Sequence, residues 1–270
     1  MNTQASHATN SDNKQLGSLS PKKHIYSNVE GNINVKSDIG VILPTYCEAA
    51  NIGQLIQEIE ILPQKISILV IDDSSPDKTA NIVSSLQKKY RNILLLSRPE
   101  KYGLGTAITD GFKIFLSLKN PPKYIVTMDA DYSHNPKDVP RLVSAAKDGR
   151  GLAIGSRYCK GGRIINWSLF RLVTSRIANL IASVLVKAKI HDYTSGLRCY
   201  STKLVRAIVA DLHSQTYEIQ IETIRQACKR KFDVREVPMT FVNRKKGKSK
   251  LTPNEIKEFI SYILVKVRNL

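Results

Sequence analysis

The sequence predicts an α/β protein built on a mostly parallel sheet with helices on both faces, and three observations carry that prediction. First, three short apolar runs of strand type each stop at acidic residues. Ile39-Gly40-Val41-Ile42-Leu43 runs into Pro44-Thr45-Tyr46-Cys47-Glu48, Ile66 to Ile71 into Asp72-Asp73-Ser74-Ser75, and Tyr124 to Thr127 into Met128-Asp129-Ala130-Asp131. Second, helical patterns lie between the runs, so strand and helix alternate as they do when crossover helices join parallel strands. Third, ligands bind such sheets beyond the carboxyl ends of the strands, which directs Glu48, Asp72, Asp73, Asp129 and Asp131 to one rim.

The elements follow in order. Residues 1–36 are polar without a hydrophobic period and read as a disordered tail. The alternating pattern begins at Asp38, opening a domain over 37–250 that a helix over 251–270 follows. Asp77 to Tyr90 reads as a helix with Ile82, Val83 and Leu86 inward and Ser74 or Ser75 as its cap. Asn92 to Leu96 is the next strand, and Arg98 and Lys101 after it read as surface charges. Gly103 to Leu118 is a helix opened by Gly103-Leu104-Gly105. Those glycines lack the remainder of a dinucleotide or triphosphate loop, so close packing of the helix start is at least as good a reading as phosphate contact. Pro121-Pro122 breaks the chain before Tyr124, Pro136 introduces a helix to about Lys147, and Leu152 to Ser156 is a strand. Arg157 directly ends that strand, where a guanidinium suits bidentate phosphate contact.

The later half is basic and amphipathic. Over 167–189, Trp167, Phe170, Val173, Ile177, Leu180, Val184 and Leu185 recur at helical spacing, while Arg171, Ser175 and Asn179 share a polar face. A packed helix and a helix lying at a membrane interface both fit that pattern. Arg244 to Lys250, within a basic loop over 243–250, lies between a strand-like Val234 to Val242 and a helix announced by Thr252-Pro253-Asn254-Glu255. A loop held at both ends can place cations over a site.

Composition narrows the partners. The 270 residues are 42% hydrophobic, enough for a sizeable core, yet carry a net charge of +18. Such an excess suits nucleic acid, an anionic membrane surface or phosphorylated substrates. Zinc-finger spacings, RNA-binding strand motifs and basic zippers are absent from the sequence, which disfavours nucleic acid. Cys47, Cys159, Cys199 and Cys228 show no Cys-x-x-Cys spacing and the first residues carry no signal core, so reduced cytosolic thiols are expected. No run reaches the ~18 continuous apolar residues of a spanning helix, which gives a soluble or peripheral protein.

A lone Asp-x-Asp is most plainly an acidic turn. Several acidic runs converging on one rim repel by a few kcal/mol per pair, and a hard divalent cation such as Mg²⁺ or Mn²⁺ with phosphate oxygens would offset this. A metal–nucleotide site is the better reading of Asp129 and Asp131.

Taken in order, Pro44-Thr45-Tyr46-Cys47-Glu48, Asp72-Asp73-Ser74-Ser75-Pro76-Asp77, Gly103-Leu104-Gly105, Asp129-Ala130-Asp131, Gly155-Ser156-Arg157-Tyr158, Thr194-Ser195-Gly196-Leu197-Arg198 and Arg244-x₅-Lys250 resemble the dolichol-phosphate mannosyltransferases. These are inverting family 2 glycosyltransferases of GT-A fold, and the likeness runs from about Ile39 to the C-terminus. The resemblance implies that Pro44, Tyr46, Glu48, Ile71 and Asp73 hold the guanine nucleotide of GDP-mannose, and that Ala130 touches its ribose or diphosphate through the backbone. It implies Mg²⁺ or Mn²⁺ on Asp129 and Asp131, with Asp131 and Arg157 the residues on which catalysis depends. Arg157, Arg244 and Lys250 would hold the donor diphosphate and the acceptor phosphate, and Arg171 and Ser175 the phosphate of a dolichyl or polyprenyl acceptor. Cys47 stands where the family commonly has Asn, and Ser133 where some members place Gln on the metal, so the Ser133 hydroxyl or a water takes that place.

The same resemblance implies a peripheral enzyme at the cytosolic face of a membrane. It would meet its lipid through an interfacial helix or a small membrane-protein partner subunit. Rival readings are a family 2 transferase using UDP-glucose, a phosphatase with Asp129 as nucleophile, and a noncatalytic basic nucleic-acid-binding protein. The last leaves the acidic rim unexplained, because carboxylates repel a phosphate backbone.

Overall fold

The computed structural model describes residues 28–34, 36–147 and 151–243. Ten strands are described: β1 (Val29–Gly31), β2 (Ile39–Thr45), β3 (Ile66–Asp72), β4 (Ile93–Ser97), β5 (Tyr124–Thr127), β6 (Leu152–Ser156), β7 (Arg163–Ile165), β8 (Arg198–Ser201), β9 (Val234–Pro238) and β10 (Thr240–Val242). The helices are α1 (Ala49–Glu60), α2 (Thr79–Gln87), α3 (Leu104–Ser117), α4 (Val139–Ala146), α5 (Leu169–Val186), α6 (Thr202–Ile208) and α7 (Ile219–Lys229). Eight strands form one sheet in the order β1-β4-β3-β2-β5-β8-β6-β9, and β7 pairs with β10 beside it. Within the large sheet β2, β3, β4, β5, β6 and β9 run one way, and β1 and β8 run against them.

Period-two alternation sorts the strand side chains into two cores. Val41, Leu43, Ile68 and Val70 pack with Ile52, Leu55 and Ile56 of α1 on one face. Ile42, Leu69 and Ile71 pack with Phe112 and Phe115 of α3 on the other. Both faces being covered explains why these strands read as near-continuous apolar runs.

Five expectations are corrected. The run Val234–Val242 is two strands in two sheets: β9 closes at Pro238, and Met239 N–H bonds to Ser156 O at 3.0 Å while its carbonyl accepts Arg163 N–H at 2.9 Å, carrying the chain across. Neither Ser74 nor Ser75 caps α2. Ser75 instead bonds back to Asp72, while Asp77 accepts Thr79 N–H at 3.1 Å and, through its other oxygen, Ala49 N–H of α1 at 3.0 Å. Burial opposes ionisation of Asp77, but the Thr79 hydroxyl, which also donates to it, and these backbone N–H groups outweigh burial and hold its carboxyl below the usual range.

The apolar stripe of α5 is turned outward. Phe170, Ile177, Leu180 and Val184 are exposed, while Asn179 and Ala182 are buried. With only Arg171 and Arg176 charged in 18 residues, α5 is by length and composition long and apolar enough to cross a membrane, contrary to the sequence expectation. The fourth correction is Arg98, which is buried at 6% exposure. The fifth is the tail expected over 1–36: its end forms β1, which pairs with β4 from Val29 opposite Leu96 to Gly31 opposite Leu94, while most of the rest of that tail, the basic loop with Arg244 and Lys250 and the helix expected over 251–270 lie outside the described residues.

Candidate active site

The rim is made by register. Thr45 of β2 stands opposite Asp72 of β3, and Ile42 of β2 opposite Thr127 of β5, so the loops after all three strands leave the sheet side by side. Glu48, Asp73 and Asp131 are buried there at 6% exposure each. Each has a partner: Arg98 after β4 for Asp73, and residues of their own turns for Glu48 and Asp131.

Asp72 is structural: its carboxylate accepts Thr45 Oγ1 at 2.8 Å, Ser75 Oγ at 2.6 Å and Ser75 N–H at 2.9 Å. Asp73 meets Arg98, whose Nε lies 2.5 Å from Oδ1, and accepts Gly103 N–H at 3.3 Å. Arg98 also donates to Thr106, Asp110 and Gly103 O, tying the first turn of α3 to the rim. A Cβ on Gly105 would lie 2.4 Å from Ser214 O, so Gly103-x-Gly105 serves close packing against the 214–215 backbone. Glu48 accepts Asn51 Nδ2–H at 2.8 Å at the start of α1. Lys101, exposed, stands 5.5 Å from the centre of the Tyr46 ring.

After β5 the chain turns sharply. Tyr132 takes φ 63°, a left-handed conformation that returns Ser133 and His134 to the strand end. Asp131 Oδ1 accepts Ser133 N–H at 3.0 Å, and His134 Nδ1 accepts Asp129 N–H at 3.2 Å. The Ser133 hydroxyl is buried and makes no hydrogen bond. Two carboxylates and an unsatisfied hydroxyl on one turn are hard oxygen donors, a set that fits Mg²⁺ or Mn²⁺ with phosphate oxygens and waters as further ligands. A groove of about 1100 Å³ runs behind this turn, between Glu58 of α1, Arg141 of α4 and Thr240 of β10.

The opposite wall comes from the second half of the chain. Because β8 is antiparallel, the segment before it starts at the rim where β5 and β6 end. Gly196 in that segment packs on Asp129: an added Cβ would sit 3.0 Å from Oδ1. Arg157, after β6, bonds Asp192 through Nε at 2.8 Å and Nη2 at 2.7 Å, and Thr194 Oγ1 at 2.7 Å. Burial disfavours its charge, but the Asp192 carboxylate outweighs that and raises its pKa further, with a smaller contribution from Asp129. Arg157 therefore reaches the acidic rim already paired. Its guanidinium carbon lies 5.3 Å from the Trp167 ring centre and 5.6 Å from that of Phe241.

Arg171 stacks at 4.2 Å on Trp167 and donates to Asn243 Oδ1 at 2.9 Å, while Ser175 accepts the Tyr158 hydroxyl at 2.8 Å. Pro44, Ile71 and Ala130 stand on the same rim, at the ends of β2 and β3 and between Asp129 and Asp131. Sequence reasoning misses Asp192, Phe241, Asn243 and His134. Asp192 had one usable signal, since an arginine ending a buried strand requires an acid nearby.

This α/β sheet with an acidic Asp-x-Asp turn, facing arginines from its second half, has the architecture of a nucleotide-sugar transferase. The chain belongs to glycosyl transferase family 2, whose model matches residues 40–209. It is 37% identical to the polyprenol monophosphomannose synthase of Mycolicibacterium smegmatis over 81% of this chain and 82% of that protein. It is 34% identical to the dolichol-phosphate mannosyltransferase of Pyrococcus furiosus over 83% of this chain and 62% of that protein. In fold it is similar to crystalline glucosyl-3-phosphoglycerate synthase from Mycobacterium tuberculosis, with TM-score 0.62 at 17% identity, covering 88% of this chain and 82% of that one.

Proposed function

We propose that this glycosyltransferase moves mannose from GDP-mannose to dolichyl or a related polyprenyl phosphate. One juxtaposition carries the reading: the Asp129–Asp131 turn acts on Arg157, and Arg157 and Arg171 share the Trp167 and Phe241 rings at the start of a helix whose apolar side, from Leu169 to Val184, is exposed. A water-soluble sugar nucleotide needs the first two features. A lipid phosphate needs the second and third. The names of the relatives support a mannosyl group and a polyprenyl phosphate acceptor.

In this reading Pro44, Tyr46, Glu48, Ile71 and Asp73 line the nucleotide end, with Lys101 above Tyr46. Asp129, Asp131 and Ser133 hold Mg²⁺ or Mn²⁺, which supplies a Lewis acid for the charge that grows on the leaving diphosphate. An oxygen of the acceptor phosphate attacks the anomeric carbon, the C1–O bond to GDP breaks, and the configuration inverts. A phosphate monoester is largely dianionic at neutral pH, its second pKa being about 6, so this nucleophile needs no general base. Arg171 and Ser175 orient it. Arg157, kept charged by Asp192, lowers the repulsion between the two anions as they meet. Arg244 and Lys250, outside the described residues, complete the cation set. The outward face of α5 lies at the interface of the membrane that carries the acceptor, on its cytosolic side, with or without a small membrane-protein subunit.

The test uses the purified full chain with radiolabelled GDP-mannose or UDP-glucose, a polyprenyl phosphate and Mn²⁺. Label from GDP-mannose should enter the organic phase, and should not when EDTA is present. Lipid labelling from UDP-glucose alone would replace the donor, and transfer unaffected by EDTA would remove the metal.

A further inference from the structure

His134 is buried at 1% exposure, and the two nitrogens of its ring face different parts of one residue. Nδ1 accepts the backbone N–H of Asp129 at 3.2 Å. A nitrogen that accepts carries no proton, so the neutral ring bears its hydrogen on Nε2. Nε2 makes no hydrogen bond, although a buried donor left unsatisfied costs about 1–3 kcal/mol. The carboxylate oxygen it faces is Asp129 Oδ2, at 3.9 Å, on a side chain that is 40% exposed. The ring is held by its edge-to-face contact with Phe241, centroids 5.5 Å apart, and by the turn at Tyr132. Ser133 O accepts Val242 N–H at 3.2 Å, which fixes that turn to β10. A rigid donor thus stands about 1 Å beyond hydrogen-bonding distance of a partly exposed carboxylate.

We infer that His134 is a positioning residue for Asp129: Nδ1 fixes the backbone, and Nε2–H takes the carboxylate when that side chain turns inward to hold the cation. One ring then sets both the place and the rotamer of one metal ligand. Outer-shell partners of this kind contribute about 10–100-fold to metal affinity. The inference rests on the metal reading proposed above.

Two variants separate the two nitrogens. In His134→Asn the amide reproduces Nδ1 and loses the donor to the carboxylate. In His134→Gln the amide reaches the Nε2 position. Mn²⁺ binding to the full chain in the presence of GDP is measured by electron paramagnetic resonance, with thermal melts for both variants. His134→Asn should bind Mn²⁺ about 10–100-fold more weakly, and His134→Gln should keep most of the affinity. Equal binding by His134→Asn and the parent overturns the inference while leaving the metal reading intact, and so does an equal loss in both variants. Absence of Mn²⁺ binding by the parent removes the metal reading and the inference with it. Nitrogen NMR of the ¹⁵N-histidine-labelled parent needs no variant. The His134 proton should sit on Nε2 and its resonance should move downfield on adding Mg²⁺ with GDP, whereas a proton on Nδ1 overturns the inference.

Discussion

Arg157 and Asp192 form a two-pronged ion pair, Nε to Oδ2 at 2.8 Å and Nη2 to Oδ1 at 2.7 Å, with side-chain exposures of 7% and 0%. The pair joins the end of β6 to the segment that leads into β8. It supplies a buried positive charge to the acidic rim without leaving that charge uncompensated. Asp192→Ala strips the compensation, and removing one partner of a buried pair costs about 3–5 kcal/mol. Urea denaturation should show that loss, and a change under about 1 kcal/mol would mean the pair is not what holds the wall.

The same pair makes stability depend on acid. Burial acts to raise the Asp192 pKa, but the Arg157 charge and its hydrogen bonds prevail and lower it. A folded-state pKa below the unfolded value of about 3.9 gives stability that is complete above that value and is lost as pH falls through the folded one. The melting temperature should therefore decline below about pH 4, and more steeply in the parent than in Asp192→Asn. Parallel curves would refute the linkage.

Asp131 lies at 6% exposure with Oδ1 on Ser133 N–H. Asp131→Ala removes one of the two carboxylates of the turn, so transfer should fall by about 10²–10³-fold or more, while far-ultraviolet circular dichroism stays that of the parent. Metal-dependent transfer near the parental rate would sink the assignment.

Phe170 and Leu180 project outward from α5, at 82% and 65% exposure. Replacing both with Ser should cut sedimentation with anionic liposomes by about 10-fold or more, since each large apolar side chain contributes about 1.5–3 kcal/mol on burial. Solubility and melting temperature should hold. Unchanged liposome binding would move the contact elsewhere on the surface.

Gly105 faces backbone: a Cβ there would lie 2.4 Å from Ser214 O and 2.8 Å from Gln215 C. A main chain yields less readily than a flexible side chain, so Gly105→Ala should cost about 1–3 kcal/mol in chemical denaturation. A loss under 0.5 kcal/mol, on the order of an ordinary surface change, would contradict this packing.

The strands β2, β3, β5 and β6 are legible in the sequence because a strand covered on both faces must be apolar throughout, and the rim is legible because each run stops abruptly at its ligand end. The opposite wall is much less so. Arg98 looks like a surface charge because its acid, Asp73, is 25 residues away and adjacent only after β3 and β4 pair. β8 is four residues long and contains the fully buried Arg198, whose three nitrogens donate to oxygens of Tyr193, Ser195, Gln220 and Thr223. No local pattern marks a strand of that composition. The period of α5 fixes a stripe but not the direction it faces. That direction is decided by Asn179, which donates to Ser175 O and Thr194 Oγ1 and accepts Tyr193 N–H, anchoring the polar side inward.

The reversed strand at the centre of the sheet has a consequence for synthesis. β5 obtains its second neighbour only from residues 198–201, and Thr127 Oγ1 meets Gly196 O across 69 positions of chain. On the ribosome, the amino-terminal part must wait with one edge bare, which is a hazard for association with other nascent chains. The Asp129–Asp131 turn stays half-walled until the later part emerges, so an incomplete polypeptide lacks the wall that the proposed site requires.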